Sequence, residues 1–185
     1  MNDTDSSSLK ETPPVAGERR RFPGEANGWR WLPLALGVIV LDQATKAWMV
    51  QHFRIYESVH VLPVLDITLM FNTGAAFSMF EGSNSPATVR NLLIAFSVIA
   101  VLVVVALIWK YARQFSLLAF SLALILGGAI GNLYDRIRFS HVVDFLEVHI
   151  VHYHWPDFNI ADSAICIGAC LILIEMLRPG AGSSR

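Results

Sequence analysis

Four long apolar windows constrain the fold of this chain more than any other feature of its sequence. Their approximate limits are Trp31 to Val50, Leu92 to Trp109, Phe115 to Tyr134 and Ile160 to Leu177. Each window holds about 18 to 20 residues, enough for a helix to cross a hydrocarbon core of about 30 Å. Hydrophobic residues make up 54% of the chain and charged residues only 16%, a balance typical of lipid-embedded proteins. The sequence therefore predicts an all-α integral membrane protein with four transmembrane helices.

The two long connections between these windows are predicted to differ in structure. Between the first and second windows, Ser58 to Leu62 and Ile67 to Phe71 are rich in β-branched residues and are separated by Pro63. We expect these patches to form a small β-rich segment on the membrane surface. Residues 135–159, between the third and fourth windows, are predicted to form a loop.

The two ends of the chain are predicted to lie outside the membrane. Residues 1–28 are rich in Ser, Pro, Glu and Arg and have no apolar periodicity, a composition typical of a disordered tail. The membrane domain is therefore expected to cover residues 29–178, with residues 179–185 forming a short C-terminal tail.

Basic residues fall unevenly on the two sides of the predicted helices. One side carries Lys10, Arg19, Arg20, Arg21, Arg30, Lys110, Arg113, Arg178 and Arg185. The other side carries Arg54, Arg90, Arg136 and Arg138. Because Lys and Arg concentrate in cytoplasmic segments, both termini are predicted to be cytoplasmic and both long connections to face outward.

Polar side chains interrupt the apolar windows at similar depths. With a helical rise of about 1.5 Å per residue, Asp42, Lys46 and Asn132 are expected in the outer part of the membrane. Asp135 and Arg136 follow at the outer boundary, where we expect them to pair. Asp42 and Lys46 are four residues apart and could simply neutralise each other. Charges at this depth are costly enough to favour a functional role instead.

Two further carboxylates are predicted to reach the same outer face. Asp144 lies in the connection before the fourth window, and Asp162 lies in the first turn of that window. At the edge of a low-dielectric medium, repulsion and desolvation both penalise a second negative charge, so we expect the pair to share one proton. Aspartic peptidases use such a pair to activate water, and the sequence therefore predicts an intramembrane proteolytic site.

Small residues within the windows are interpreted as packing positions. Gly127, Gly128 and Gly131 lie in the middle of a predicted membrane helix, where they favour close helix packing over nucleotide binding. Cys166 and Cys170, four residues apart in the fourth window, are expected to behave as small hydrophobic side chains.

A metal site is the first alternative to the carboxylate pair. The connection before the fourth window contains His141, His149, His152 and His154, together with Glu147 and Asp157. However, no HExxH motif is present, and the spacing of His149, His152 and His154 in an extended segment directs them to different faces. We therefore predict no metal and no cofactor.

A small proton- or ion-coupled transporter is the second alternative, because intramembrane charges also mark ion paths. A transporter predicts polar residues through the whole membrane depth, whereas the second window has no ionisable residue. Binding to nucleic acid is not expected, because the net charge is −1 and no basic stripe is present.

Five sequence blocks, in order, identify the chain as similar to the lipoprotein signal peptidases, also called signal peptidase II or prolipoprotein signal peptidase. They are Asp42-Gln-Ala-Thr-Lys46, Asn72-Thr-Gly-Ala-Ala-Phe77, Gly127-Gly-Ala-Ile-Gly-Asn-Leu-Tyr-Asp-Arg136, Val142-Val-Asp-Phe145 and Phe158-Asn-Ile-Ala-Asp-Ser163. The resemblance covers about residues 30–178 and is specific because all five blocks occur together. The N-terminal tail is longer than is usual in that family.

The resemblance implies a multi-pass aspartic endopeptidase of the bacterial inner membrane, with its active site near the periplasmic face. Asp144 and Asp162 match the catalytic residues. The supporting and substrate-binding positions match Asp42, Lys46, Asn72, Gly74, Asn132, Asp135, Arg136, Asn159 and Ala161. The implied substrate is a lipidated prolipoprotein, cut on the amino side of its diacylglyceryl cysteine while its acyl chains remain among the membrane lipids. Globomycin is the implied inhibitor.

Overall fold

A computed structural model describes residues 28–74, 86–111, 116–151 and 153–177 of the chain. A short 3-10 turn at Gly28–Trp31 precedes the first long helix. The helices are α1 (Leu32–His52), α2 (Pro86–Tyr111), α3 (Leu117–Arg138) and α4 (Ile160–Leu177). The strands are β1 (Ser58–Leu62), β2 (Leu65–Asn72), β3 (Val142–Ile150) and β4 (Tyr153–His154). The predicted tails, residues 1–28 and 179–185, lie outside the described residues except for Gly28.

Three of the described helices are long and apolar enough to cross a membrane. They are α2, α3 and α4, and they correspond to the second, third and fourth predicted spans. Helix α1 has 21 residues and is therefore also long enough, but Asp42, Gln43 and Lys46 lower its hydrophobicity. The composition of the described residues thus supports a multi-pass membrane protein with three clear spans.

Helix α3 lies at the centre of the helical region, against α1, α2 and α4. The close approach of α3 to α1 and to α4 depends on glycines of α3, as predicted. A Cβ atom on Gly127 would meet the carbonyl oxygen of Ala35 in α1 at 2.7 Å, and one on Gly128 would collide with the carbonyl oxygen of Ala161 in α4. Cys166 and Cys170 are free thiols on the exposed surface of α4.

The strands form one antiparallel sheet in the order β1-β2-β3-β4. The predicted patches before α2 are confirmed as β1 and β2. The connection between α3 and α4, predicted as a loop, contains the strand β3, which pairs with β2 through Val142 to Val148. Pairing with a strand some 70 positions earlier satisfies the backbone of this segment.

The sheet is joined to the end of α1 by a second apolar core. Met49 of α1, Leu69 of β2, and Val143 and Phe145 of β3 are all buried together. Because alternate residues of a strand point to opposite faces, burying Val143 and Phe145 directs Asp144 away from this core. The packing of β3 therefore fixes where the Asp144 carboxylate lies.

Candidate active site

The N-terminus of α4 is closed by two residues that cap each other. Asn159 precedes the first helical residue, and its Oδ1 accepts a hydrogen bond from the backbone N–H of Asp162 at 2.9 Å. In return, Asp162 Oδ2 accepts from the backbone N–H of Asn159 at 3.2 Å. This is the reciprocal geometry of a capping box, built here from Asn and Asp. It fixes the orientation of the Asp162 carboxylate.

Asp144 lies on β3 with only 2% of its surface exposed. Its Oδ1 accepts a hydrogen bond from Asn159 Nδ2 at 2.7 Å, and its Oδ2 accepts one from Asn72 Nδ2 at 2.9 Å. The Asn72 side chain is itself oriented, because its Oδ1 accepts from the backbone N–H of Gly74 at 3.0 Å. Each oxygen of Asp144 thus has a fixed donor.

Asn159 links the two carboxylates that the sequence singled out. Its side-chain amide donates to Asp144, while its backbone N–H donates to Asp162. The other oxygen of Asp162, Oδ1, accepts from Asn132 Nδ2 at 2.7 Å. Asp144 and Asp162 therefore lie close together, as predicted, because both accept hydrogen bonds from Asn159.

Burial raises the pKa of Asp144 to about 7, and the nearby negative charge of Asp162 adds to the increase. Hydrogen bonds from Asn72 and Asn159 and the charge of Lys46 oppose it, since each stabilises the ionised carboxylate. Asp144 can therefore hold a proton near neutral pH. A proton on one carboxylate beside an ionised partner is the state required for general acid–base chemistry.

Lys46 is the centre of a buried charge network beneath the two carboxylates. Its side chain is 3% exposed, and Nζ lies 2.9 Å from Asp42 Oδ2, 2.8 Å from Asp135 Oδ2 and 3.0 Å from Asn132 Oδ1. A lysine ammonium can only donate, so the Asn132 oxygen must face Lys46. The Asn132 amide group is thereby turned toward Asp162.

Asp42 connects α1 to both neighbouring helices. Its Oδ1 accepts a hydrogen bond from the backbone N–H of Ala161 in the first turn of α4 at 3.0 Å. A Cβ atom on Gly131 of α3 would lie 2.6 Å from Asp42 Oδ2. The simple reading, in which Asp42 and Lys46 only neutralise each other, is therefore incomplete, because Asp42 also anchors the helix that carries Asp162.

Among the described residues no ion pair joins Arg136 to Asp135, although the charge of Asp135 does act on the Arg136 guanidinium group. Adjacent residues on a helix point about 100° apart, and Asp135 is directed at Lys46. Arg136 is half-buried and lies close enough to Asp162 and Asp144 for their charges to interact with its guanidinium group. Its position is thus nearer to the carboxylate pair than the sequence indicated.

Gln43 is a site residue that sequence reasoning missed. Its Nε2 donates to Asp135 Oδ1 at 2.9 Å and to Asp42 Oδ2 at 3.1 Å. The sequence feature that could have identified Gln43 is its polar side chain, next to Asp42 within an apolar window. Its partner Asp135 is 92 positions away, so the hydrogen bond itself follows only from helix packing.

The prediction that the histidines point to different faces also needs correction. His149 and His154 are register partners in β3 and β4, and their rings stack at a centroid distance of 5.5 Å. The prediction treated this segment as continuously extended, but the chain reverses direction between His149 and His154. His152 and the end of the second sequence block, Ala75 to Phe77, lie outside the described residues.

Comparisons with known proteins agree with this fold. Two solved structures, each described as a bacterial membrane enzyme structure obtained by the in meso method, resemble the chain closely. The first has a TM-score of 0.76 at 29% identity and covers 88% of this chain and 96% of its own. The second has a TM-score of 0.72 at 31% identity and covers 84% of this chain and 97% of its own. The fold is that of a membrane enzyme.

The family follows from sequence relatives. A family model described as signal peptidase (SPase) II matches residues 34–178. The lipoprotein signal peptidase of Janthinobacterium sp. (strain Marseille) is 42% identical over 89% of this chain and 98% of its own length. That of Yersinia enterocolitica is 43% identical over 81% of this chain and 88% of its own. The chain belongs to the signal peptidase II family, whose members are proteases, and the transporter alternative finds no support.

Proposed function

We propose that this chain is an intramembrane aspartic endopeptidase that removes the signal peptide from diacylglyceryl-modified prolipoproteins. Cleavage occurs on the amino side of the lipidated cysteine. The observation that carries this proposal is the pair Asp144 and Asp162, held by the single residue Asn159 at the end of an apolar helix. Membership of the signal peptidase II family supports the substrate class.

The chemistry proposed for the pair begins with one ionised and one protonated carboxylate. The ionised aspartate removes a proton from water, whose oxygen attacks the carbonyl carbon of the scissile peptide bond, while the protonated aspartate donates its proton to the carbonyl oxygen. When the tetrahedral intermediate collapses, a proton passes to the leaving amine and the C–N bond breaks. Asp144 suits the acid role, because its pKa of about 7 keeps it protonated near neutral pH.

Asn72, Asn132 and Asn159 have supporting roles in this mechanism. Their amide groups already bond the two carboxylates, which holds both side chains in single orientations. A neutral amide orients a carboxylate without adding a positive charge. A positive charge in its place would favour the ionised form of the carboxylate. Lys46, Asp42 and Asp135 act one step further away by orienting Asn132 and the start of α4.

In the proposed membrane arrangement, α1 is the first of four spans and both termini are cytoplasmic. The buried side chains of α1 include Asp42 and Lys46, whereas Leu36, Val40, Leu41 and Trp48 are exposed and suit contact with lipid. The sheet and the carboxylate pair then lie at the outer, periplasmic side of the inner membrane. This places the pair where the lipidated cysteine of a precursor meets the membrane surface, with its acyl chains remaining in the bilayer.

A cleavage assay with a defined substrate tests this function. Purified protein is incubated with a diacylglyceryl prolipoprotein, with and without EDTA, and with and without globomycin. We expect a product that begins at the lipidated cysteine, formed in EDTA as well as without it and blocked by globomycin. No product, or a product that requires a metal ion, would contradict the proposal.

A further inference from the structure

Five polar side chains form a stripe across one face of the sheet, away from the carboxylate pair. His60 and Asp66 are register partners in β1 and β2, and Asp66 is in turn the partner of Glu147 in β3. His149 and His154 are partners in β3 and β4. Cross-strand partners share a face, as do residues two apart on a strand, so all five side chains lie on one face of the sheet.

Three of these side chains bring metal-binding atoms together. His60 Nδ1 lies 2.6 Å and His149 Nε2 lies 3.5 Å from the same oxygen, Asp66 Oδ1. One ligand atom from each residue lies within 4.8 Å of the other two. In a tetrahedral zinc site with bonds of about 2.0 to 2.2 Å, ligand atoms are roughly 3.3 to 3.6 Å apart. Adjustments of under about 1.5 Å therefore convert this cluster into a coordination site.

His149 supplies an independent indication that the cluster binds a ligand. Its Nε2 is buried and makes no well-aligned hydrogen bond among the described residues, and it lies 3.5 Å from Asp66 Oδ1, at the limit of hydrogen-bonding range. A buried polar atom without a partner is costly and uncommon. By contrast, His154 Nδ1 is paired with Glu147 Oε1 at 2.6 Å. A cation bound between His149 and Asp66 would satisfy the unpaired nitrogen.

We propose that His60, Asp66 and His149 bind one divalent transition-metal ion, of which zinc is the best match. Two imidazole nitrogens and one carboxylate oxygen form a set preferred by zinc and disfavoured by calcium or magnesium, which require more oxygen ligands. The fourth position is open to water, because the side chain of His60 is 63% exposed while that of His149 is 17% exposed.

This site is structural and separate from peptide cleavage. His149 is five residues along β3 from Asp144, a distance of about 16 Å for an extended strand. The three ligands come from three different strands, and β1 is an edge strand with all five residues exposed. The ion therefore joins β1 to β2 and β3, and it stabilises the sheet that carries Asp144 without contacting the reacting groups.

Zinc binding can be measured directly on the purified full chain. The protein carries a purification tag without histidine, is stripped of metal in detergent, and is then equilibrated with zinc chloride alone. We expect one bound zinc ion per chain and a zinc-dependent rise in thermal stability, because a ligand that binds only the folded state stabilises it. Cobalt substituted for zinc should give the absorption spectrum of a tetrahedral nitrogen–oxygen site.

Single substitutions identify the ligands. His149→Gln and Asp66→Asn should each lower zinc affinity by at least about tenfold. Replacing a residue that only hydrogen-bonds to a metal ligand usually lowers metal affinity by that factor, and loss of a ligand itself should cost no less. His52→Gln is the matched control, because His52 is an exposed histidine at the end of α1, outside the cluster. If His149→Gln does not fold by circular dichroism, His60→Gln at the exposed edge replaces it. The proposal is overturned if the wild-type chain binds no stoichiometric zinc, or if the cluster variants bind as well as His52→Gln.

Discussion

Asn159 and Asp162 each accept a hydrogen bond from the other's backbone N–H, at 2.9 and 3.2 Å, and this exchange fixes a carboxylate at the start of a membrane helix. The same Asn159 donates its side-chain amide to Asp144. One residue therefore has two separable tasks, capping α4 and orienting the carboxylate pair. Substitutions that remove one task and keep the other distinguish them.

Replacing Asn159 with Ser keeps a cap acceptor but removes the amide that donates to Asp144. That hydrogen bond lowers the pKa of Asp144, so its loss should raise that pKa above about 7. We expect the alkaline limb of the pH–rate profile to move to higher pH, with a lower maximal rate. Asn159→Ala should additionally destabilise the chain by about 1 kcal/mol, the usual effect of losing a cap. Equal stability of the Ser and Ala variants, with an unmoved limb, would contradict this assignment.

Gly131→Ala should disrupt the contact between α3 and α1. The added Cβ would lie 2.6 Å from Asp42 Oδ2, inside the charge network, so we expect a clear loss of thermal stability and of cleavage rate. Gly37→Ala in α1 is the matched control, because no atom lies within 4 Å of the added Cβ. Since alanine is favoured over glycine in a helix, the control should be neutral or stabilised by up to about 1 kcal/mol. Similar behaviour of the two variants would show that the close approach is not required.

Lys46→Met leaves Asp42 and Asp135 buried without their cation. Removing one partner of a buried ionic network usually costs about 3 to 5 kcal/mol, because the remaining charge is uncompensated. We therefore expect a large fall in the denaturant midpoint in detergent, and partial recovery when Asp135→Asn is added. Lys110→Met, at the exposed end of α2, provides the comparison and should change little. A Lys46→Met protein as stable as this control would refute the proposed role of the network.

Asp144 should also make stability depend on pH. Its pKa is about 7 in the folded chain against an ordinary value of 3.8, so between these values the folded state binds the proton more tightly than the unfolded state. The stabilisation is present below about pH 4 and is lost as the pH rises through about 7. The measurement is the free energy of unfolding between pH 4 and 8, compared with Asp144→Asn. The free energy of unfolding of the wild-type chain should fall more steeply with rising pH than that of Asp144→Asn. Parallel curves for the two proteins would contradict this expectation.

Sequence patterns predicted the parts of this fold that depend on local chemistry. The limits of α4 and β1 agree with the predicted segments, because apolar length and β-branched composition are local properties. Strand β3 was missed because its partner β2 is distant in the chain. The meeting of Asp144 with Asp162 could be predicted from topology alone. The pairing of Lys46 with Asp135 and the cluster around Asp66 could not, since both depend on strand register and helix rotation.

The central claim is that Asp144 and Asp162 act as one catalytic unit. The most direct measurement is the rate at which purified Asp144→Asn, Asp162→Asn and the double variant cleave a diacylglyceryl prolipoprotein. Asparagine preserves the size of the side chain but not its carboxylate, so each single variant should be inactive while remaining folded in the membrane. The double variant should lose little more, because groups that act together are not additive. Substantial turnover by either single variant would contradict the account.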